Sequence, residues 1–295
     1  MYERNGRMST RDERVVVFND TQDWIQHDPE LAASVQAAKQ HTTVFYENDY
    51  PAITSAAPRE TRITVTPDRS FAAAMRLHKE NPDAKIAVMN FANAFHPGGG
   101  VAWGASAQEE CLCRTSTLYP LLDRKMLLGT YYKHHRDLGS PIATDSLVYT
   151  EGVVICKTDE DLPRRMPATD WVTVDVITIA APDLREKSLA AMLGQSLSAK
   201  PGQPLADAFI TDEELSAIHL RRIKHMLSCA AAKGATILVL GAFGCGAFEN
   251  PPSVVAKAFR QALEEFPKVF EKVEFAVYCA PGRSENYEVF KRVMG

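Results

Sequence analysis

Apolar residues recur at helical spacing between residues 21 and 40, and Pro29-Glu30 is placed to open a second helix within that stretch. Downstream the pattern shortens. Runs rich in β-branched and aromatic residues occupy 42–46, 62–66, 85–89, 147–156, 172–180, 236–240 and 273–279. Helical periodicity fills many of the intervals, at 71–80, 107–122, 215–233, 253–266 and 286–294. Strands alternating with helices predict a layered α/β fold with helices on both faces of the sheet. Residues 237–240 and 275–278 are almost continuously apolar, as central strands buried on both sides must be.

No internal repeat or low-complexity tract interrupts this pattern. Residues 184–204 have mixed composition and end in the turn-rich Ala199-Lys-Pro-Gly-Gln-Pro204, which reads as an insertion or lid within a domain. The polar residues 1–14 read as a flexible tail. One domain over 15–295 is therefore expected. Of the 295 residues 45% are hydrophobic and 24% charged, ordinary for a globular chain, and the formal net charge of −4 offers no basic surplus for nucleic acid or anionic membrane. No apolar run approaches the ~20 residues that span a bilayer. The start lacks the apolar core of a signal peptide, so a cytoplasmic protein is expected. Six cysteines scattered along the chain point to reduced thiols rather than a disulfide framework.

Candidate chemistry concentrates in two glycine-rich loops, each after an apolar strand and before a helix, where open α/β sheets bind ligands. The first is NFANAFHPGGGVAWGASAQEECLCRTSTL, beginning at Asn90. Three adjacent glycines are entropically costly and are kept where backbone must approach something that side chains would exclude. Gly98, Gly99 and Gly100 would present N–H groups to an oxygen-rich ligand. Asn93 could offer donors and an acceptor to sugar hydroxyls. Gln108, Glu109 and Glu110 fall in the first turn of the next helix, whose dipole favours an anion, and carboxylates beside a cleft are the usual acid/base tools. Consecutive helix positions point ~100° apart, so the two glutamates are expected on different faces. Periodicity does not choose between them. The second loop, Gly241-Ala-Phe-Gly-Cys-Gly-Ala-Phe248, precedes Asn250-Pro-Pro252, read as a helix opening. Its small residues suit a nest of N–H groups around phosphate. It lacks the Lys-Ser/Thr of a P-loop and the spacing of the dinucleotide fingerprint.

With these residues the chain resembles the microbial-type poly(ADP-ribose) glycohydrolases, which are built on the macrodomain fold. The family signature is three glycines, a short spacer and Gln-Glu-Glu, met here by Gly98 to Gly100 and Gln108 to Glu110. The flanking Phe91-Ala92-Asn93, the following Leu112-Cys113-Arg114-x-Ser116-Thr117-Leu118-Tyr119 and the second loop with its Asn-Pro-Pro are also similar. The resemblance runs from about Val16 to the C-terminus. It implies a three-layer α/β/α macrodomain with a mixed central sheet and an N-terminal helical extension. It further implies hydrolysis of ribose–ribose O-glycosidic bonds to release ADP-ribose, with Glu110 as catalytic acid, Glu109 bonding the neighbouring ribose and Asn93 orienting the ribose that is cleaved. The glycine triplet would close over the distal ribose, and Gly244, Cys245, Gly246, Ala247 and Phe248 would wrap the diphosphate, with the Phe248 ring beside that ribose. No metal or organic cofactor is expected. The expected partners are poly(ADP-ribose) or ADP-ribosylated proteins and the product ADP-ribose, with no membrane and no direct nucleic-acid contact. The rival readings are a non-catalytic ADP-ribose reader, which needs the glycines but no acid, and a hydrolase of another ADP-ribosyl linkage. A metal-dependent phosphoesterase is disfavoured by the lack of ligands.

Other constellations read more plainly. Cys111 and Cys113 with His96 lack the second pair a zinc site needs and read as buried helix cysteines. Cys245 reads as a small residue allowing close approach to phosphate rather than a nucleophile. His134 and His135, after Tyr131-Tyr132-Lys133, read as a solvated helix end, and Trp103 as packing.

Overall fold

The computed structural model describes residues 10–53, 60–193, 209–280 and 282–295. Helices α1 (Thr10–His27) and α2 (Pro29–Gln40) come first. They are separated by Asp28, whose carboxylate caps α2 by accepting from the Glu30 and Leu31 amides, with Pro29 pre-set for the first turn. The first helix starts at Thr10, inside the stretch read as a polar tail, because tertiary contacts described below hold its first turn. Residues 1–9 lie outside the described residues.

Seven strands form one mixed sheet among the described residues: β1 (Thr42–Phe45), β2 (Arg62–Thr66), β3 (Ile86–Ala92), β4 (Leu147–Ile155), β5 (Val172–Ala180), β6 (Ile237–Leu240) and β7 (Lys272–Ala276). Their order is β1-β4-β5-β3-β6-β7-β2. The β1–β4 and β4–β5 pairs are antiparallel, and every pair from β5 to β2 is parallel. Alternation along each strand divides the core into two layers. Ile86, Val88, Val148, Val176, Ile237 and Val239 face one side, with residues of α1, α2 and α3 (Ser70–Glu80). The same layer takes in α4 (Gln108–Thr115), α5 (Leu118–Leu122), α6 (Lys125–Gly129) and α7 (Tyr131–Leu138). Ala87, Met89, Leu147, Ile177, Ile179, Leu238 and Phe275 face the other, against helices that follow α8 (Glu186–Leu193). These are α9 (Asp212–Ala232), α10 (Pro252–Glu264) and α11 (Glu285–Met294). This is the three-layer α/β/α arrangement that the alternation of strands and helices predicts.

Two differences from the sequence reading matter for the site. The helix expected over 107–122 is broken. Ser116 leaves helical geometry to form an antiparallel bridge with Ile155, and the chain re-enters a helix at Leu118. Strand β3 also runs past Met89 to Ala92, which brings Asn90 into the sheet. The lid expected at 184–204 contains α8, and its residues 194–204 lie outside the described residues.

Candidate active site

Pairing at the C-terminal end of β3 is lopsided. On one side β5 continues to Ala180 opposite Ala92, whereas on the other β6 pairs only as far as Val239 opposite Val88. The ladder positions β6 leaves behind are taken by a side chain. The Phe91 N–H donates to Gln108 Oε1 at 2.9 Å, and Gln108 Nε2 donates to the Met89 carbonyl at 2.7 Å and to Ser70 Oγ at 3.0 Å. Gln108 thus sets the start of α4 against the strand end. Its amide is engaged with the scaffold.

This latch turns the next two residues inward. Glu109 and Glu110 are only 3% and 7% exposed, which rules out ordinary solvent-facing helix-start acids. Glu109 Oε1 accepts from Asn90 Nδ2 at 3.3 Å, and its Oε2 accepts from the Asn93 amide at 2.7 Å. Glu110 Oε1 accepts from the Gly100 amide at 2.9 Å, while its Oε2 is buried without a partner among the described residues. Both carboxyls converge on Gly99. A Cβ there would lie 2.6 Å from Glu110 Oε1 and 3.2 Å from Glu109 Oε2. The expectation that adjacent glutamates diverge is corrected: the Cα–Cβ directions differ, but each side chain has two further carbons with which to bend toward the loop. Burial, followed by the charge of Glu110, pushes the Glu109 carboxyl up to about 8 against N–H donors that pull it down. At neutral pH the Glu109 carboxyl therefore keeps its proton.

Asn93 begins the glycine loop. Its Oδ1 accepts from the Phe95 and His96 amides at 2.9 and 3.0 Å, an Asx turn, so only the amide nitrogen remains for a sugar hydroxyl. Gly98 and Gly99 both take positive φ (67° and 56°), and the loop folds over the carboxyl pair. Beneath Glu109, Tyr131 and Tyr132 are wholly buried, and burial together with the charge of Glu109 raises both phenols. The solvated helix end read at 131–135 is therefore corrected, because packing under the loop buries Tyr131, Tyr132 and His135. His135 is also buried, bonding Tyr131 O at 2.8 Å, and His134 lies 2.9 Å from Glu47.

The second loop is organised by a side chain that sequence reasoning took for a helix opener. Asn250 is buried, and its Nδ2 donates to the carbonyls of Pro182, Gly244 and Phe248 at 2.7, 3.1 and 3.2 Å. Its Oδ1 accepts from His219 Nε2 at 2.9 Å. Burial lowers His219 to about 4, so that imidazole is neutral at pH 7. With the carbonyls pulled inward, the amides of Gly244, Gly246, Ala247 and Phe248 make no hydrogen bond to any described residue. Four unengaged N–H groups in five residues form a nest suited to an anion. Gly244 takes φ 74°, and a Cβ there would meet Ala181 and Asn250 at 2.6 and 2.7 Å. The Cys245 thiol is raised by burial, the opposite of an activated nucleophile. The Arg185 guanidinium lies 5.1 Å over the Phe248 ring.

Cys113 is buried, and half-buried Cys111 accepts from Arg69 and Arg114. Trp103 does not pack beneath the loop as expected. It is 69% exposed. Among the described residues no group of three or more His, Cys, Asp or Glu is disposed to hold a metal ion, and no helix is long and apolar enough to cross a membrane. The roles of Asn90, Asn250, His219 and the two tyrosines escaped the sequence reading because they come from pairing register and burial. The Asn-Pro-Pro run does open α10, as read, with Pro251 as N-cap and Pro252 as the first helical residue, but it gave no sign of the work Asn250 does inside the loop.

The sequence model of the microbial-type PARG (poly(ADP-ribose) glycohydrolase) catalytic domain matches residues 16–158. Among solved structures the chain is similar to poly(ADP-ribose) glycohydrolase from Thermomonospora curvata. They are 28% identical with a TM-score of 0.79, over 96% of this chain and 99% of that one. A complex from the same organism with the inhibitor ADP-HPD is 28% identical, with a TM-score of 0.77 over 95% and 99% of the two chains. Poly(ADP-ribose) glycohydrolase from Deinococcus radiodurans in complex with ADP-ribose is 34% identical, with a TM-score of 0.71 over 88% of this chain and 96% of that one. A search of curated proteins found no match.

Proposed function

The chain belongs to the microbial-type poly(ADP-ribose) glycohydrolases, and from that premise we propose that Glu110 is the acid that protonates the leaving oxygen. The protein is a glycoside hydrolase that releases ADP-ribose from poly(ADP-ribose). We infer that it works in the cytoplasm, on free polymer or on ADP-ribosylated proteins. The roles of individual residues rest on the geometry above.

The observation that carries the assignment is the buried, unpartnered Oε2 of Glu110. An acid must hold its proton on an oxygen free to release it. Both oxygens of Glu109 already accept from N–H donors, whereas Glu110 has one oxygen anchored by Gly100 and one bare. A proton on Glu110 Oε2 passes to the 2′-oxygen of the departing ribose as the glycosidic bond breaks. The reacting sugar gains oxocarbenium character. The substrate diphosphate, held on the amides of Gly244, Gly246, Ala247 and Phe248, supplies a nearby negative charge that stabilises that cation. Water then attacks the sugar and returns a proton to Glu110, so acid and base are one residue used twice. Glu109 and the amide nitrogen of Asn93 bond the ribose hydroxyls, and the glycine triplet covers the sugar. A reader of ADP-ribose would have no use for a bare buried carboxyl oxygen, which costs free energy to keep.

The test is Glu110→Gln, assayed with labelled polymer and, separately, for ADP-ribose affinity. Turnover should fall by about 10³-fold or more while affinity changes by no more than about threefold. Near-normal turnover sinks the assignment.

A further inference from the structure

The turn that follows the glycine triplet is held far more firmly than its length requires. It comprises a 3₁₀ segment, Val101–Trp103, between Gly100 and Gly104. The Trp103 amide donates to Gly100 O at 3.0 Å, and the Gly104 amide donates to Val101 O at 3.0 Å. Three consecutive carbonyls are then each taken by an arginine. Arg11 Nε donates to Trp103 O at 2.6 Å, Arg14 Nε to Gly104 O at 2.7 Å and Arg114 Nη1 to Ala105 O at 2.6 Å. Gly104, at φ 73°, lets the backbone of Arg11 approach where any side chain would collide with it. Two of the three arginines come from the first turn and a half of α1, which explains why that helix begins in an otherwise polar stretch.

The side chain so mounted is an indole that does not pack. Trp103 is 69% exposed, more than Tyr50 at 49%, Tyr278 at 45% or Tyr46 at 39%. A 3₁₀ rise of ~2 Å per residue puts its backbone ~6 Å from Gly100, whose amide holds Glu110. We propose that Trp103 is a stacking platform for the adenine of the ADP-ribosyl unit that departs on cleavage. This rests on the reading of Glu110 given above. If the departing 2′-oxygen lies at Glu110, the adenine of the departing unit is attached to the neighbouring carbon of the same ribose. The base is therefore carried within a few ångströms of the scissile oxygen, which is the reach of this turn. Base-on-aromatic stacking asks only for an accessible, pre-ordered ring, and immobilising the turn in advance removes its entropy cost from binding. Arg11 and Arg14 are positioning residues for that ring.

The experiment compares ADP-ribose with an ADP-ribose dimer, two units joined by the ribose–ribose bond, by titration calorimetry on Glu110→Gln with and without Trp103→Ala. Trp103→Ala should weaken the dimer roughly tenfold and ADP-ribose less than twofold, with Trp103→Phe recovering most of the loss. An unchanged dimer affinity overturns the proposal, and so does an equal loss for both ligands, which would make Trp103 part of the loop frame. If Glu110→Gln still cleaves the dimer, the acid assignment fails on its own. The effect of Trp103→Ala is then read as a rise in KM for the dimer against the wild-type chain.

Discussion

Gly99 and Glu110 are so placed that a single methyl group on Gly99 would sit 2.6 Å from the anchored oxygen of the carboxyl. The glycine triplet and the Gln-Glu-Glu run are therefore one device. The loop can lie over the acid only because it has no side chain at the point of closest approach. Gly99→Ala meets two penalties, a positive φ of 56° that costs roughly 1–2 kcal/mol for an L-residue and a clash that must move Glu110. Turnover should fall about 100-fold or more with a drop of only a few degrees in Tm, measured by polymer hydrolysis and thermal melting. Turnover within a few-fold of wild type would show that the loop does not hold the acid in place.

The Glu109 carboxyl should also be legible in pH dependence. Glu109 titrates near its ordinary 4.5 in the unfolded chain and at about 8 in the folded one. Between those values the folded chain holds a proton that the unfolded chain has lost. The associated stability is full below the lower value and gone once pH has risen through the upper one. Tm should therefore decline between about pH 5 and about pH 9, and Glu109→Gln, neutral throughout, should flatten part of that decline. Equal slopes for the two proteins would mean that Glu109 carries no unusual proton.

Asn250 supplies a test of the second loop that leaves the acid untouched. Its side chain joins Pro182, Gly244, Phe248 and His219 in one buried knot. Asn250→Ala would strand three carbonyls and the His219 N–H, at a cost of about 2–4 kcal/mol, and would release the nest of amides. Melting and calorimetric ADP-ribose titration are expected to show a lower Tm together with an affinity reduced tenfold or more. A destabilised protein that binds ADP-ribose normally would separate the knot from the ligand site.

Much of this site is readable before folding is considered. Adjacent glycines carry a backbone cost that only a close approach repays, and two acids at the next helix start announce charge in need of a site. The strands were readable because short runs of β-branched and apolar residues mark a sheet buried on both faces, and the two core layers divide those runs between them. The work of Asn90 and Gln108 was not legible, for a different reason. Their work depends on where β6 stops pairing while β5 continues, a register that no local pattern encodes. The polar start was misread likewise. Arg11 and Arg14 order a helix through carbonyls some ninety positions away, so their charge looks like a frayed end until the loop is beside them.

By itself the amino-acid order determined the layered fold, the two loops and the residue types able to perform glycoside hydrolysis, because backbone freedom, hydrophobic period and functional-group chemistry are local properties. The folded chain alone decided which glutamate keeps a bare oxygen, which asparagine ties the second glycine loop and which tryptophan faces water. Those outcomes depend on burial and on hydrogen-bond partners from distant segments, and both come into being only when the segments meet.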